Sequence, residues 1–278
     1  MTNPSEPRTP DPLYHAAAPI RVAAVVTAFA IAAIYVLQVV TSLALSTPGA
    51  LIVTFSATAM GVAAAAKDRS FRLGVSAAPP RFWIAAALIG LSTWYVDLTL
   101  VTWLGPPGDS PLLESSVKHA PGAVAVIAFA IAPAIAEELV FRGVLARSLA
   151  RRSITTAVPG CVPRQGFPRV TALPLRECGG RSLPTAIIAS SLVFSLYHLL
   201  PAQVVATFPL GLALATLAVR SDSVLPGMLA HFLNNAVVLI VSRNALPWLA
   251  TAIDGHFAAA FSVAVACTGA GFALAIKQ

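Results

Sequence analysis

Long apolar runs, broken at short intervals by polar clusters, set the pattern of this chain. Eight runs are long enough to cross a bilayer as helices: approximately 20–45, 49–66, 82–104, 120–149, 184–200, 203–219, 224–242 and 257–276. A spanning helix needs about 20 mainly apolar residues, with a range of roughly 17–25. The predicted fold is therefore all-α, a polytopic membrane protein built as a bundle of about eight transmembrane helices. Residues 1–19 are rich in proline and carry mixed charges, which predicts a disordered cytoplasmic tail. The apolar run that follows exceeds the 7–15 residues of a signal-peptide core, so the first helix is expected to remain uncleaved. Residues 20–278 then form a single membrane domain. Its connector 151–183, rich in Arg, Pro and Gly without apolar periodicity, predicts an irregular basic cytoplasmic loop.

Composition agrees with that pattern. Hydrophobic residues make up 57% and charged residues only 10% of the 278, whereas soluble domains carry roughly 25% charged residues. The net charge of +7 would suit a nucleic-acid binder if it were gathered on one soluble face, but the basic residues follow the alternation of spans. With an inner N-terminus, Lys118 and Arg243 alone lie in outer loops and Arg142 lies inside a span, leaving all other Lys and Arg on the inner side. That asymmetry obeys the positive-inside rule and predicts both termini in the cytoplasm. A missed span would break the alternation, so the charge distribution supports the count of eight. No nucleic-acid partner is implied. The alanine-rich composition and compact size point to a prokaryotic chain, hence a bacterial plasma membrane. Cys161 and Cys178 in the inner loop and Cys267 in the last span form no C-x-x-C pair, so reduced thiols are expected.

The polar residues left inside the spans carry the chemistry. Ala136-Glu137-Glu138-Leu139-Val140-Phe141-Arg142 places two carboxylates and a guanidinium within a run from Pro121 to about Leu149. A charge near the bilayer centre costs roughly 2.5–3.5 kcal/mol on insertion scales, which makes such a cluster a site by default. Residues four apart share a helix face, so Glu138 can pair with Arg142, while Glu137, turned by about 100°, faces elsewhere. The same spacing joins Phe194 to His198 and His231 to Asn235. At ~1.5 Å per residue from the inner ends, Glu137 lies about 15 Å deep, His198 about 21 Å and His231 about 10 Å, a spread that tilt absorbs. Hydrolysis of an amide without a side-chain nucleophile needs a base for water, an acid for the leaving amine and donors to the oxyanion. Glu137, His198, His231 and Asn235 can supply them, with Glu138 and Arg142 as structural support.

Glu137-Glu138-x-x-x-Arg142, Phe194-x-x-x-His198 and His231-x-x-x-Asn235, in this order and in separate spans, resemble the three motifs of the CPBP family of intramembrane endopeptidases. That family includes the CAAX prenyl endopeptidases and the bacterial Abi proteins. The resemblance covers roughly residues 120–240, the motif-bearing core. It implies a helical bundle of about eight spans and a cavity open to cytoplasm and bilayer. It also implies Glu137 as the water-activating residue, Glu138 and Arg142 as its supporting pair, His198 as the second-motif histidine, and His231 with Asn235 at the oxyanion. Better-known members remove a C-terminal tripeptide after a prenylated cysteine, so the expected partners are the lipid bilayer and a membrane-associated peptide or protein substrate. Relative to bacterial members, the 151–183 connector is long.

Other chemistries fit less well. Asp97 has no second intramembrane aspartate, as an aspartyl protease needs, and Ser195 lies in no G-x-S-x-G turn. H-E-x-x-H is absent. A divalent metal such as zinc stays open, with Glu137, His198 and His231 as its ligand set. Two alternatives remain: a proton-coupled transporter, since buried Glu and His also build proton relays, and a non-catalytic immunity or scaffold membrane protein.

Overall fold

The computed structural model describes residues 17–69, 71–104, 111–150 and 182–277, and the regular elements among them are all helices. They run α1 (Ile20–Ser42), α2 (Thr47–Asp68), α3 (Pro80–Leu104), the short α4 (Pro111–His119), the long α5 (Gly122–Ala150), α6 (Ser182–Leu196), α7 (Pro201–Ser221), α8 (Leu225–Ser242), the short α9 (Pro247–Gly255) and α10 (Phe257–Ile276). Seven of these, α1, α2, α3, α5, α7, α8 and α10, are long and apolar enough to cross a membrane. The chain is thus an integral multi-pass membrane protein. Nearly all of the expected 1–19 tail, and all but the last residues of the 151–183 loop, lie outside the described residues.

The fifth expected span, 184–200, is a shorter element than its apolar run suggests. Helix α6 has 15 residues, about 22 Å at 1.5 Å per residue, which falls short of a ~30 Å hydrocarbon core. It stops because Pro201 opens α7 and holds Leu200 extended, with ψ at 127°. Before that, Leu199 takes a left-handed φ of 61°, which costs a leucine about 1–2 kcal/mol. His198 therefore sits in a turn rather than on the helix. The sequence also gave no sign of the short helices α4 and α9, which lie between spans.

Two stretches of α5, Ile127–Ile131 and Glu138–Ala146, are wound as π-helix. Here N–H groups bond to carbonyls five residues back, a winding uncommon outside functional sites. The second stretch begins at the charged cluster. Around it, Val140, Phe141 and Val144 are fully buried against residues of α1, α2 and α6, including Ala23, Val62 and Phe194. Helices α7 and α8 close the remaining sides of α5.

A second core lies on α3, where Phe82, Ala85, Ala86 and Ile89 meet Ala213, Leu214, Leu217 and Ala230. Small residues set its spacing. A Cβ on Gly90 would lie 2.5 Å from the Ala230 carbonyl oxygen, and one on Gly271 would lie 2.7 Å from Ile89 Cγ1. Such close approach is how helices associate in lipid, where no hydrophobic force drives them together. Ser92 hydrogen-bonds Thr268 across α3 and α10 at 2.8 Å, and with Gly271 beside Ala85 the two helices run antiparallel.

Candidate active site

The site is built where α5, α6, α7 and α8 converge. Glu137 and Glu138 are 4% and 0% exposed, and Arg142 is 1% exposed. Glu138 Oε1 stands 3.0 Å from Arg142 Nη1 and 3.2 Å from His231 Nδ1. The contact with Arg142 is a close ion pair without hydrogen-bond alignment, since Nη1 makes no hydrogen bond among the described residues. The guanidinium instead donates through Nη2 to the Gly211 carbonyl at 3.3 Å, and its Cζ lies 4.0 Å from the centre of the Phe194 ring. Gly211 makes that stacking feasible: its missing Cβ would sit 3.2 Å from both Phe194 and Ser191, so α6 and α7 can close over the guanidinium.

Gly227 does the same for the glutamate. A Cβ there would fall 2.7 Å from Glu138 Oε2, an atom with no hydrogen-bond partner among the described residues. Gly227 precedes His231 by one helical turn of α8, so the notch and the imidazole present themselves on one face. His231 then spans both carboxylates: Nδ1 faces Glu138, and Nε2 lies 3.8 Å from Glu137 Oε2. A hydrogen bond from Nδ1–H to Glu138 leaves Nε2 as the nitrogen directed at Glu137. At 3.8 Å that pair is too far apart for a direct hydrogen bond and suits one bridged by water.

His198 is placed by its own turn. Its Nδ1–H donates to the Phe194 carbonyl at 2.9 Å, and because a carbonyl only accepts, Nε2 of the neutral ring is the free acceptor. Phe194 stands between the two imidazoles, edge-on to His198 at 5.1 Å and to His231 at 6.0 Å between centroids. Asn235, one turn beyond His231, is only partly buried, and no hydrogen bond joins it to Glu137, Glu138, Arg142, His198 or His231. The structure therefore gathers Glu137, Glu138, Arg142 and His231 in direct contact, sets His198 one ring away and leaves Asn235 at the margin.

Three contributors escaped the sequence reading. Tyr197 donates its hydroxyl to Glu137 Oε1 at 3.4 Å; its position directly before His198 was the available signal. Gly211 and Gly227 act by lacking a side chain, and only the spacing of Gly227 to His231 hinted at a role. A metal does not fit the ligand set considered for it. No group of three or more His, Cys, Asp and Glu among the described residues is arranged to hold an ion, and Glu137, His198 and His231 are not so gathered.

Fold and site together define a multi-pass membrane protein with a carboxylate–imidazole centre buried among its helices. Residues 119–237 match the family described as type II CAAX prenyl endopeptidase Rce1-like, and this stretch is a domain of that family. The match runs from the end of α4 into α8 and contains every motif residue, leaving α1, α2, α3, α9 and α10 outside it. No curated protein and no solved structure matches the chain.

Proposed function

We propose that this protein is an intramembrane endopeptidase that hydrolyses a peptide bond of a membrane-associated, lipidated or CAAX-like substrate by glutamate-activated water. The observation that carries the reading is the 3.8 Å interval between Glu137 Oε2 and His231 Nε2, a span that a water molecule bridges. Glu137 takes a proton from that water as its oxygen bonds to the substrate carbonyl carbon. The same proton then passes to the amine nitrogen as the C–N bond breaks. His198 Nε2, free to accept, orients the water's second O–H. His231, held in place by Glu138 and Arg142, lies beside the developing oxyanion, and the Asn235 carboxamide donates to it when substrate fills the site. The family membership of residues 119–237 supports a protease over a transporter or a scaffold. Following the positive-inside distribution, the site opens toward the cytoplasm of a bacterial plasma membrane.

The test is cleavage of a quenched fluorescent peptide library, with and without a prenyl or acyl anchor, by wild type and Glu137→Gln protein in nanodiscs. Cleavage by wild type alone is expected, and the preferred anchor identifies the substrate class. Equal cleavage by a folded Glu137→Gln protein would remove this mechanism. Proton-coupled flux lost on the same substitution would instead identify a transporter.

A further inference from the structure

We propose that Tyr197 and Tyr35 form a two-link brace that holds Glu137 in its reactive position, bringing α1, outside the family-matched stretch, into the site. The kinetic part of this inference rests on the hydrolase reading above. Among the described residues the Tyr197 hydroxyl is the one hydrogen-bond donor to the Glu137 side chain, and it takes Oε1. Oε2 is thereby left toward His231. A glutamate has three side-chain torsions, and fixing one oxygen decides where the other points.

Tyr197 itself opens the turn between α6 and α7, and its N–H still donates to the Val193 carbonyl of α6 at 3.0 Å. Its main-chain carbonyl would ordinarily accept from the N–H four residues on, but that residue is Pro201, which has none. The Tyr35 hydroxyl of α1 supplies the missing donor to this carbonyl. The two rings also meet at 5.8 Å between centroids, and Phe141 packs on the Tyr197 ring at 5.3 Å. Tyr35 is 37% exposed at the edge of the bundle, so its contact with the turn also closes the side of the site next to α1. The chain thus runs from Tyr35 hydroxyl to Tyr197 carbonyl, and from Tyr197 hydroxyl to Glu137.

Both tyrosines are positioning residues, and Tyr→Phe tests each with the ring retained. On the best peptide substrate, Tyr197→Phe is expected to lower kcat about tenfold, as loss of one hydrogen bond to a charged group does, with KM within about twofold. Tyr35→Phe is expected to lower kcat about threefold by the same arithmetic. The double variant should be no slower than Tyr197→Phe alone, because Tyr35 acts through Tyr197. A second arm needs no substrate: thermal unfolding of the full chain with Tyr197→Phe, Glu137→Ala and both. The Tm loss caused by Tyr197→Phe should vanish in the Glu137→Ala background. Additive Tm shifts, or an unchanged kcat in Tyr197→Phe, would overturn the brace. If wild type cleaves no peptide, the hydrolase reading fails, and the thermal cycle alone decides on the brace.

Discussion

The seam around α3 and the seam around α5 are both closed at glycines and held by different means. At the first, Gly90 and Gly271 let α3 meet α8 and α10 almost backbone to backbone, Ser92 and Thr93 meet the Thr268 hydroxyl, and Asp97 is buried at 6% exposed. At the second, fully buried Glu138 and Arg142 touch His231 and the Gly211 carbonyl. Packing of the first kind suffices to associate helices in lipid. The second adds the desolvation of three ionisable groups held against one another, a cost that helix packing by small residues avoids. The contrast teaches that α5 carries more than packing: it buries charges in contact with one another, which helix association alone does not require. Substitutions on the two seams should therefore fail in different ways.

The largest expected effect belongs to Glu137→Gln, which keeps the shape and an acceptor for Tyr197 but removes the proposed proton acceptor. Turnover should fall by about 10²–10⁴-fold, the usual worth of a general base, while Tm in detergent stays near wild type. A folded variant with normal turnover would make the charged seam structural and dissolve the contrast. Next comes Arg142→Ala. It strands Glu138 without its counter-charge, and breaking a buried pair typically costs about 3–5 kcal/mol. Arg142→Lys should recover only part of that, since an ammonium cannot both face Glu138 and lie flat on Phe194. Chemical unfolding in mixed micelles compares the two; full recovery by lysine would show that the stacking and the Gly211 contact contribute nothing.

A substitution on the other seam sharpens the comparison. The Cβ of Gly271→Ala would meet Ile89 Cγ1 at 2.7 Å and the Ala85 carbonyl oxygen at 3.0 Å, an overpacking expected to cost about 1–3 kcal/mol. Helix α10 contributes nothing to the charged cluster among the described residues, so kcat of the folded protein should be unchanged. A fall in kcat comparable to that of the brace variants would show that the α3 seam is coupled to the site.

Residue spacing made much of this legible. The Glu138–Arg142 pair follows from helical periodicity and survives the π winding of α5, because both residues stay on the inward side. His231 was recognisable because an imidazole in an apolar span needs a partner, and it has two. His198 shows the limit: the spacing Phe194–His198 suggested one helix face, whereas the helix ends at Leu196 and the two residues are joined by a ring-to-carbonyl hydrogen bond. Pro201 was the signal that the helix had to end. Tyr35 is 162 residues from Tyr197, and no local pattern announces a contact of that range. Gly211 gave no signal and Gly227 only its spacing to His231, because their contribution is absent volume, which acquires meaning only once Phe194 and Glu138 are seen above them.

The smallest expected effect lies at the arginine-rich end, where Arg147 ties the tail of α5 to the turn between α7 and α8. Its Nη1 donates to the Asp222 carbonyl at 2.9 Å and also contacts the Asp222 carboxylate. The Asp222 side chain is 82% exposed, whereas that of Arg147 is 6% exposed. An ion pair with one partner in water is worth about 0–1 kcal/mol and is screened by salt. Asp222→Asn keeps a residue that tolerates the left-handed φ of 54° and leaves the carbonyl contact in place. It should therefore lower stability by less than about 1 kcal/mol, with the difference shrinking as salt is raised. Gly74→Ala at the same clasp is the sharper perturbation, because its φ of +76° disfavours any side chain and its Cβ would fall 2.6 Å from Arg147 Nη1. If Asp222→Asn proves as damaging as Gly74→Ala at every salt concentration, the carboxylate itself anchors α5 to the turn that leads into the His231 helix. The clasp would then belong with the charged seam rather than with the protein surface.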